Sequence, residues 1–354
     1  MSWQGIAGQD EVVDRFRRAV GRGRVASSYL LVGPPGVGKR LFAEKLGQAL
    51  LCPSCDPNGL TPCGTCRSCQ LMQAGNHPDW DYICLPEGKK TIPVELFIGD
   101  RQHRGREGFC HRLAMKPFLG GRRIGVIDDA DHLSDEDANC LLKTLEEPPL
   151  GSVLMLLGTS PDRQLPTIRS RCQLMRFRPL SDQALAELLL AAGKVEDRSA
   201  AERLARCSGG SLERAAQLSD PDVWQFREDF LARMAQRPLD NIRLAKAIAA
   251  FYDAAGKEAA IKRQRAALVV EWAIELLSGL LRIAAGDLNA GDLADDTLRS
   301  AATALAGQQH LDTEAIIAAI DRCYAALDHV QRNAHLAIVT ECWLDDLARL
   351  AADN

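Results

Sequence analysis

Tyr29-Leu30-Leu31-Val32-Gly33-Pro34-Pro35-Gly36-Val37-Gly38-Lys39-Arg40 decides the fold: a short apolar strand runs into a glycine-rich turn, and the helical pattern Leu41–Leu51 follows at once. This is the setting of a phosphate-binding loop. The glycines let backbone N–H groups converge on phosphate oxygens, and the helix N-terminus adds partial positive charge. Gly33, Pro34, Pro35, Gly36, Val37, Gly38 and Lys39 form the candidate cradle, with Lys39 reaching the outer phosphates. The last position departs from the motif. A Ser or Thr there would place a hydroxyl on Mg²⁺, but the chain has Arg40, which cannot ligate a cation and competes with one for the phosphates. Two readings stay open: a static ATP or ADP site without productive Mg²⁺ coordination, or an inherited scaffold that no longer fills. Full ATPase competence fits least well.

Outward from this loop, short apolar runs alternate with helical patterns, the signature of a mostly parallel sheet flanked by helices. Strands are expected at Tyr29–Val32, Asp81–Leu85, Arg123–Ile127, Val153–Gly158 and Leu174–Arg178. The sheet domain is expected to end near Pro179, and 180–220 reads as short helices, with Ser181 an N-cap and Gly209-Gly210 a break. Beyond Pro221 the pattern is helical and Ala-rich. Ile316, Ile320, Cys323, Leu327 and Val330 share one helical face, and Leu336, Val339, Trp343, Leu347 and Leu350 another. Linker candidates are Ser219–Val223 and Gly286–Asp296. The expected architecture is an α/β P-loop domain over 1–179, a small helical lid over 180–220 and an all-α domain over 221–354.

Two further constellations carry chemistry. Arg123-Ile124-Gly125-Val126-Ile127-Asp128-Asp129 is an apolar strand ending in carboxylates, the shape of a Walker B motif. Asp128 takes the Mg²⁺-holding place. Asp129 stands where hydrolytic relatives carry Glu, and the missing methylene moves the carboxylate by about a bond length, where catalysis responds to errors of about 1 Å. Cys63-Gly64-Thr65-Cys66-Arg67-Ser68-Cys69 is a C-x₂-C-x₂-C run with Cys52 and Cys55 upstream. Thiolates at this spacing wrap a tetrahedral Zn²⁺. The residues alone leave the fourth ligand open between Cys52 and Cys55. Such a structural module over about 52–69 contributes folding energy on the order of 10 kcal/mol.

The bulk numbers agree with an ordinary globular chain of two or three domains: 354 residues, 46% hydrophobic and 25% charged. A net charge of -4 provides no global field toward DNA or anionic membrane. No apolar run approaches the length of a membrane span, and the Met1-Ser2-Trp3-Gln4 start lacks signal-peptide regions, so a cytoplasmic location is expected. In a reducing compartment the twelve cysteines are not expected to pair as disulfides. His77, His103 and His132 show no ligand or triad spacing and read as ordinary polar residues.

Three stretches carry a family resemblance: the cysteine run directly after the phosphate-loop helix, Cys140-Leu141-Leu142-Lys143-Thr144-Leu145-Glu146-Glu147-Pro148-Pro149, and Leu165-Pro166-Thr167-Ile168-Arg169-Ser170-Arg171-Cys172. With Gly8-Gln9 near the start, they resemble the AAA+ clamp-loader subunits of bacterial DNA polymerase III, strongly over 1–180 and more weakly to about 220. The resemblance implies that Arg171 is an arginine finger completing a neighbouring subunit's ATP site in trans. It also implies that Thr159 and Ser160 lie at the nucleotide-sensing strand end, and that Cys52 is the fourth zinc ligand. Gly210-Ser211-Leu212-Glu213-Arg214 resembles the second sensor, except that Glu213 occupies the arginine position and Arg214 is rotated about 100° from it on a helix. Arg40, Asp129 and Glu213 set the chain apart from the hydrolytic gamma/tau type, and it ends without a long tau-like tail. The pattern resembles the delta-prime branch. The implied partners are the gamma/tau and delta subunits, with the sliding clamp and primed DNA reached through the complex, and no membrane.

Two main rival functions remain at this level, and a third, an AAA+ recombination or helicase-loading factor, is opposed by the zinc insertion. A gamma/tau-type motor would hydrolyse ATP alone. A stand-alone zinc-containing nucleic-acid-binding module would bind DNA with a steep salt dependence. The acidic balance and the lack of a basic, aromatic-rich stripe argue against the second.

Overall fold

The computed structural model describes residues 3–352 except 288–292 and 308–311, so the middle of the Gly286–Asp296 linker lies outside the described residues. In chain order the elements of the sheet region are α1 (Asp10–Gly21), β1 (Ser28–Val32), α2 (Lys39–Leu51), α3 (Arg67–Gln73), β2 (Trp80–Ile83), α4 (Val94–Ile98), α5 (Phe109–Ala114), β3 (Arg123–Ile127), α6 (Asp135–Glu146), β4 (Ser152–Gly158), α7 (Pro166–Arg169) and β5 (Gln173–Arg176). All strand pairs are parallel, in the order β2-β3-β4-β1-β5. All five expected strands are present, with ends shifted by at most two residues.

The apolar runs follow from burial on both faces, as a parallel sheet flanked by helices requires. β1, β3 and β4 are buried at every position. Their side chains alternate. Tyr29 and Leu31 join Phe16 of α1 and Phe42 and Leu46 of α2 in one core, while Leu30 and Val32 join Phe109 of α5 and Leu141 of α6 in the other. Gly125 has no room for a side chain, because a Cβ there would lie 2.6 Å from the Phe109 ring.

Helices make up the rest: α8 (Asp182–Ala191), α9 (Arg198–Cys207), α10 (Leu212–Leu218), α11 (Pro221–Met234), α12 (Asn241–Asp253), α13 (Ala259–Ala284), α14 (Asp296–Ala306), α15 (Thr313–Gln331) and α16 (Leu336–Ala352). Ser181 caps α8, its Oγ accepting the Ala184 N–H at 3.3 Å. The chain forms two compact units, one running through Leu188 and including Gly209–Arg214, the other holding Leu189–Ser208 and everything from Ala215 onward. In α15 the expected stripe is buried at Ile316, Cys323 and Val330. In α16 it centres on Thr340, Trp343, Leu344 and Leu347, with Leu336, Val339 and Leu350 half-buried.

Inside the helical unit, Arg227 of α11 is completely buried. Its Nη1 forms an ion pair with Asp295 Oδ2 at 2.6 Å, and Cys207 donates its thiol to the same oxygen at 3.0 Å. Asp295 also caps α14 by accepting the Leu298 N–H at 2.8 Å. No helix among the described residues is long and apolar enough to cross a membrane.

Candidate functional site

Because every strand is parallel, the turns after β1, β3 and β4 lie along one edge of the sheet, the edge where α/β folds bind ligands. β4 sits between β1 and β3, so Thr159 falls between the glycine loop and the Asp128-Asp129 turn. The loop is closely held. Gly33 donates its N–H to Gly158 O at 3.3 Å, and a Cβ on Gly33 would meet Phe177 O at 2.6 Å. Gly36 has φ +72°, a Cβ there would lie 2.7 Å from Glu213 N, and its carbonyl accepts the Leu212 N–H at 3.1 Å. The 211–213 turn therefore packs directly on the loop.

Lys39 opens α2, and its Nζ donates to Gly33 O at 2.6 Å and Pro34 O at 2.8 Å. Burial lowers its pKa, opposed by the carboxylates of Asp128, Asp131, Glu213 and Asp129. Arg40 extends sideways: its Nε donates to Glu44 Oε1 at 3.1 Å, and its guanidinium lies 4.8 Å from the centre of the Tyr82 ring. Tyr82, on β2, donates its hydroxyl to Asp128 Oδ2 at 2.9 Å. Burial, followed by the charge of Asp128, pushes the Tyr82 pKa far up, so the hydroxyl stays a donor. The other Asp128 oxygen, Oδ1, accepts the Asp129 N–H at 2.9 Å. Asp129 has φ 54°, a left-handed conformation rare for a non-glycine residue, and burial and Asp128 raise its pKa.

Thr159 donates from its N–H and its hydroxyl to Asp131 Oδ2, at 2.8 and 2.6 Å, while Gln164 Nε2 donates to Asp131 Oδ1 at 2.6 Å. Ser160 Oγ accepts the Asp162 N–H at 3.2 Å and so caps a short turn. Arg214, on α10, donates its N–H to Ser211 Oγ at 3.2 Å. Gly8 and Gln9 join the chain just after β5: the Gln9 amide both donates to and accepts from the Arg178 backbone, at 2.8 and 3.2 Å.

Arg171 lies between α7 and β5. Nη2 donates to Glu146 Oε1 at 2.6 Å, and Nη1 to Thr167 O at 3.0 Å and Ser170 Oγ at 3.3 Å. The two motifs singled out in the sequence thus meet through their charged residues.

The cysteines gather at the far end of α2. Cys52, Cys63, Cys66 and Cys69 have all their sulfurs within 4.8 Å of one another, and Cys55 is not in the group. Cys52 Sγ is 3.6 Å from that of Cys63 and 3.9 Å from that of Cys66. A tetrahedral ion bound through sulfur at roughly 2.3 Å separates its ligands by roughly 3.8 Å, so this cluster could hold a metal. Backbone N–H groups of Cys63, Cys66 and Cys69 each point at a neighbouring thiol sulfur at 3.4 Å. At Cys63 such N–H donors, from Thr65 and Cys66, lower the thiol pKa to about 6. The Cys55 thiol is pushed up to about 11 by burial and faces Asp56 O. Trp3 pins the excursion to the start of the chain, its indole N–H lying 3.2 Å from both Gly59 O and Leu60 O.

Several contributors were given no role in the sequence: Tyr82, Asp131, Gln164, Glu146, Ser211, Ser68 and His77. His77 departs from the ordinary-polar reading, since it is buried inside the unit. Its neighbours His-Pro-Asp, in a short turn before a strand, were the available signal.

Residues 8–181 match the family described as "DNA polymerase III, delta subunit". The DNA polymerase III subunit delta' of Pseudomonas aeruginosa is 39% identical over 208 residues, covering 58% of this chain and 60% of that one. The same subunit of Escherichia coli is 37% identical over 213 residues, covering 60% of each chain. The DNA polymerase III subunit tau of Salmonella typhimurium is 28% identical over 305 residues, covering 82% of this chain and 45% of that protein. The matched region thus spans about 60% of the length of the delta-prime relatives.

Proposed function

We propose that the chain, which matches the DNA polymerase III delta family over residues 8–181, is a delta-prime-type clamp-loader subunit that supplies an arginine to a neighbour's ATP site while its own site stays silent. One observation carries the silent half. Tyr82 donates to Asp128, and Arg40 lies over the Tyr82 ring, so a hydroxyl backed by a guanidinium engages the carboxylate that a Walker B site would offer to Mg²⁺. Arg40 cannot ligate a metal, and an Mg²⁺ at Asp128 would have to share the carboxylate with the Tyr82 hydroxyl and the Asp129 N–H, which weakens its hold. Glu213, packed against Gly36, adds negative charge beside the loop, which disfavours phosphate there. ATP or ADP could bind only by drawing Lys39 away from Gly33 O and Pro34 O.

In this reading Arg171 is the catalytic contribution in trans, and Glu146 orients it. Thr159, Ser160 and Arg214 are inherited sensor positions, with Thr159 now tied to Asp131. Cys52, Cys63, Cys66 and Cys69 hold a structural Zn²⁺ that fixes the 52–69 excursion. Residues 1–179 act as the AAA+ domain, 180–220 as a lid and 221–354 as the collar that assembles with gamma/tau and delta subunits. The complex would work on the sliding clamp and primed DNA in the cytoplasm.

The test is the reconstituted complex. Arg171→Ala should lower ATPase at the affected site by about 10³-fold or more, the scale of arginine fingers, with assembly retained. Lys39→Ala in this chain should leave the ATPase of the complex unchanged. Full ATPase with Arg171→Ala, or its loss with Lys39→Ala, would overturn the assignment.

A further inference from the structure

The four clustered cysteines come from two separate pieces of chain. Cys52 caps the C-terminal end of α2, while Cys63, Cys66 and Cys69 lie on a loop and the first turn of α3. The excursion between the pieces is largely exposed, and its Trp3 anchor holds Gly59 and Leu60 rather than the cysteines themselves, which leaves the separation of the two pieces to be set beside the cluster. The buried polar groups beside the cluster do this. Ser68, directly before Cys69, places its Oγ 2.9 Å from the carbonyl of Leu51, directly before Cys52. His77 Nε2 lies 2.7 Å from the same Oγ. All these groups are buried: Ser68 is 6% exposed and His77 5%.

The hydrogen bonds define where each proton sits. His77 Nδ1 lies 3.0 Å from the Asp79 N–H and accepts from it, so the neutral ring carries its proton on Nε2. Nε2–H then donates to Ser68 Oγ, and the Ser68 hydroxyl donates to Leu51 O. The same logic excludes a nucleophilic Ser–His pair, since the imidazole gives a proton to the hydroxyl and has no lone pair facing it. Asp79, fully buried, accepts the N–H groups of Phe118 and Leu119 at 2.6 and 2.9 Å and forms an ion pair with Arg123 at 3.3 Å, which anchors the relay at the start of β2 and β3.

We propose that Ser68 and His77 are positioning residues of the tetracysteine metal site, holding the Cys52 and Cys69 ends at ligating distance through the Leu51 carbonyl. This rests on the reading that the cluster holds zinc. Neither residue is a ligand; they act through the backbone on either side of the ligands, as outer-sphere partners of metal sites commonly do. Removing the hydroxyl leaves a buried carbonyl and a buried N–H without partners, and relaxation separates α3 from the end of α2.

The experiment uses the full chain purified with zinc, reading metal content by elemental analysis and zinc transfer to a chromogenic chelator. Ser68→Ala should speed zinc release about 10–100-fold, with one zinc per chain still bound at the start. His77→Ala should act in the same direction, and the double variant should release zinc no faster than the faster single one, because both act through one relay. Ser152→Ala is the control. It also removes one hydroxyl-to-carbonyl bond, to Pro149 at 2.7 Å, but lies outside the module. It should lower thermal stability and leave the release rate at the parent value. Parent-like release from Ser68→Ala, or equal acceleration in Ser152→Ala, would overturn the proposal. A parent chain without zinc would instead overturn the zinc reading, and the proposal with it.

Discussion

Arg171 donates from Nη2 to Glu146 Oε1 at 2.6 Å, so the last residue of α6 orients the arginine that follows α7. Both side chains are partly exposed, and pairs of this kind contribute at most about 1 kcal/mol. Glu146→Gln should therefore lower the unfolding free energy of the isolated chain, measured by denaturant titration, by no more than that amount. A much larger destabilisation would show that the pair holds the fold together and does not serve mainly to aim Arg171.

The Arg40–Tyr82–Asp128 stack makes a two-part prediction for nucleotide binding. Calorimetric titration of ADP should give the same result with and without Mg²⁺ in the parent chain. Arg40→Thr alone should not change this, because Tyr82 still engages Asp128. Arg40→Thr combined with Tyr82→Phe frees both groups and should introduce Mg²⁺ dependence. Mg²⁺ dependence in the parent chain would contradict the silent-site reading.

The Asp295–Arg227 pair should govern the acid stability of the helical unit. Burial raises the Asp295 pKa, but Arg227, the Cys207 thiol and the Leu298 N–H outweigh it and leave the carboxyl below its ordinary value. A lowered folded-state pKa means the unfolded chain binds the proton more readily. The stabilisation is therefore complete above the ordinary carboxyl pKa and is lost as pH falls below it. Asp295→Ala should destabilise the unit at neutral pH by less than the roughly 3–5 kcal/mol of a fully stranded charge, because Glu275 still lies 3.8 Å from the Arg227 guanidinium, and should flatten the stability profile below about pH 4. Circular dichroism melts across pH would check both.

The cysteine cluster predicts an asymmetry between two neighbouring thiols. Cys52→Ser should lower zinc content and thermal stability, whereas Cys55→Ser should leave one zinc per chain, since Cys55 lies outside the group. Elemental analysis of the two purified variants would decide. Chelation should lower the unfolding temperature of the parent, with recovery on zinc addition.

The glycine at the loop apex gives a conformational test. Gly36→Ala places a Cβ against Ser211 and Glu213 at a φ of +72°, and both effects oppose folding. Thermal denaturation should show a loss of more than about 1 kcal/mol. Gly38→Ala, with open space around its Cβ but φ +91°, should show the backbone part alone.

Much of this molecule was legible in its sequence, because the signals involved are local. Glycine spacing after Tyr29–Val32, the apolar runs of the strands, the thiol spacing from Cys63 to Cys69 and the acidic end of β3 each lie within a few residues of chain. Backbone geometry converts such spacing directly into a loop, a strand or a ligand cluster. What remained unreadable was which distant residues meet. Tyr82 reaches Asp128 because β2 lies beside β3, and Thr159 reaches Asp131 because β4 lies on the other side of β3. Glu146 meets Arg171 across two helix ends, the 211–213 turn returns to Gly36 from more than 170 residues away, and chain folding brings Cys52 rather than Cys55 to the other thiols. Periodicity records which face of an element is buried but not which element covers it. The order of the strands and the closure of the loops decide that, and with it whether a familiar phosphate loop is left open or filled by its own chain.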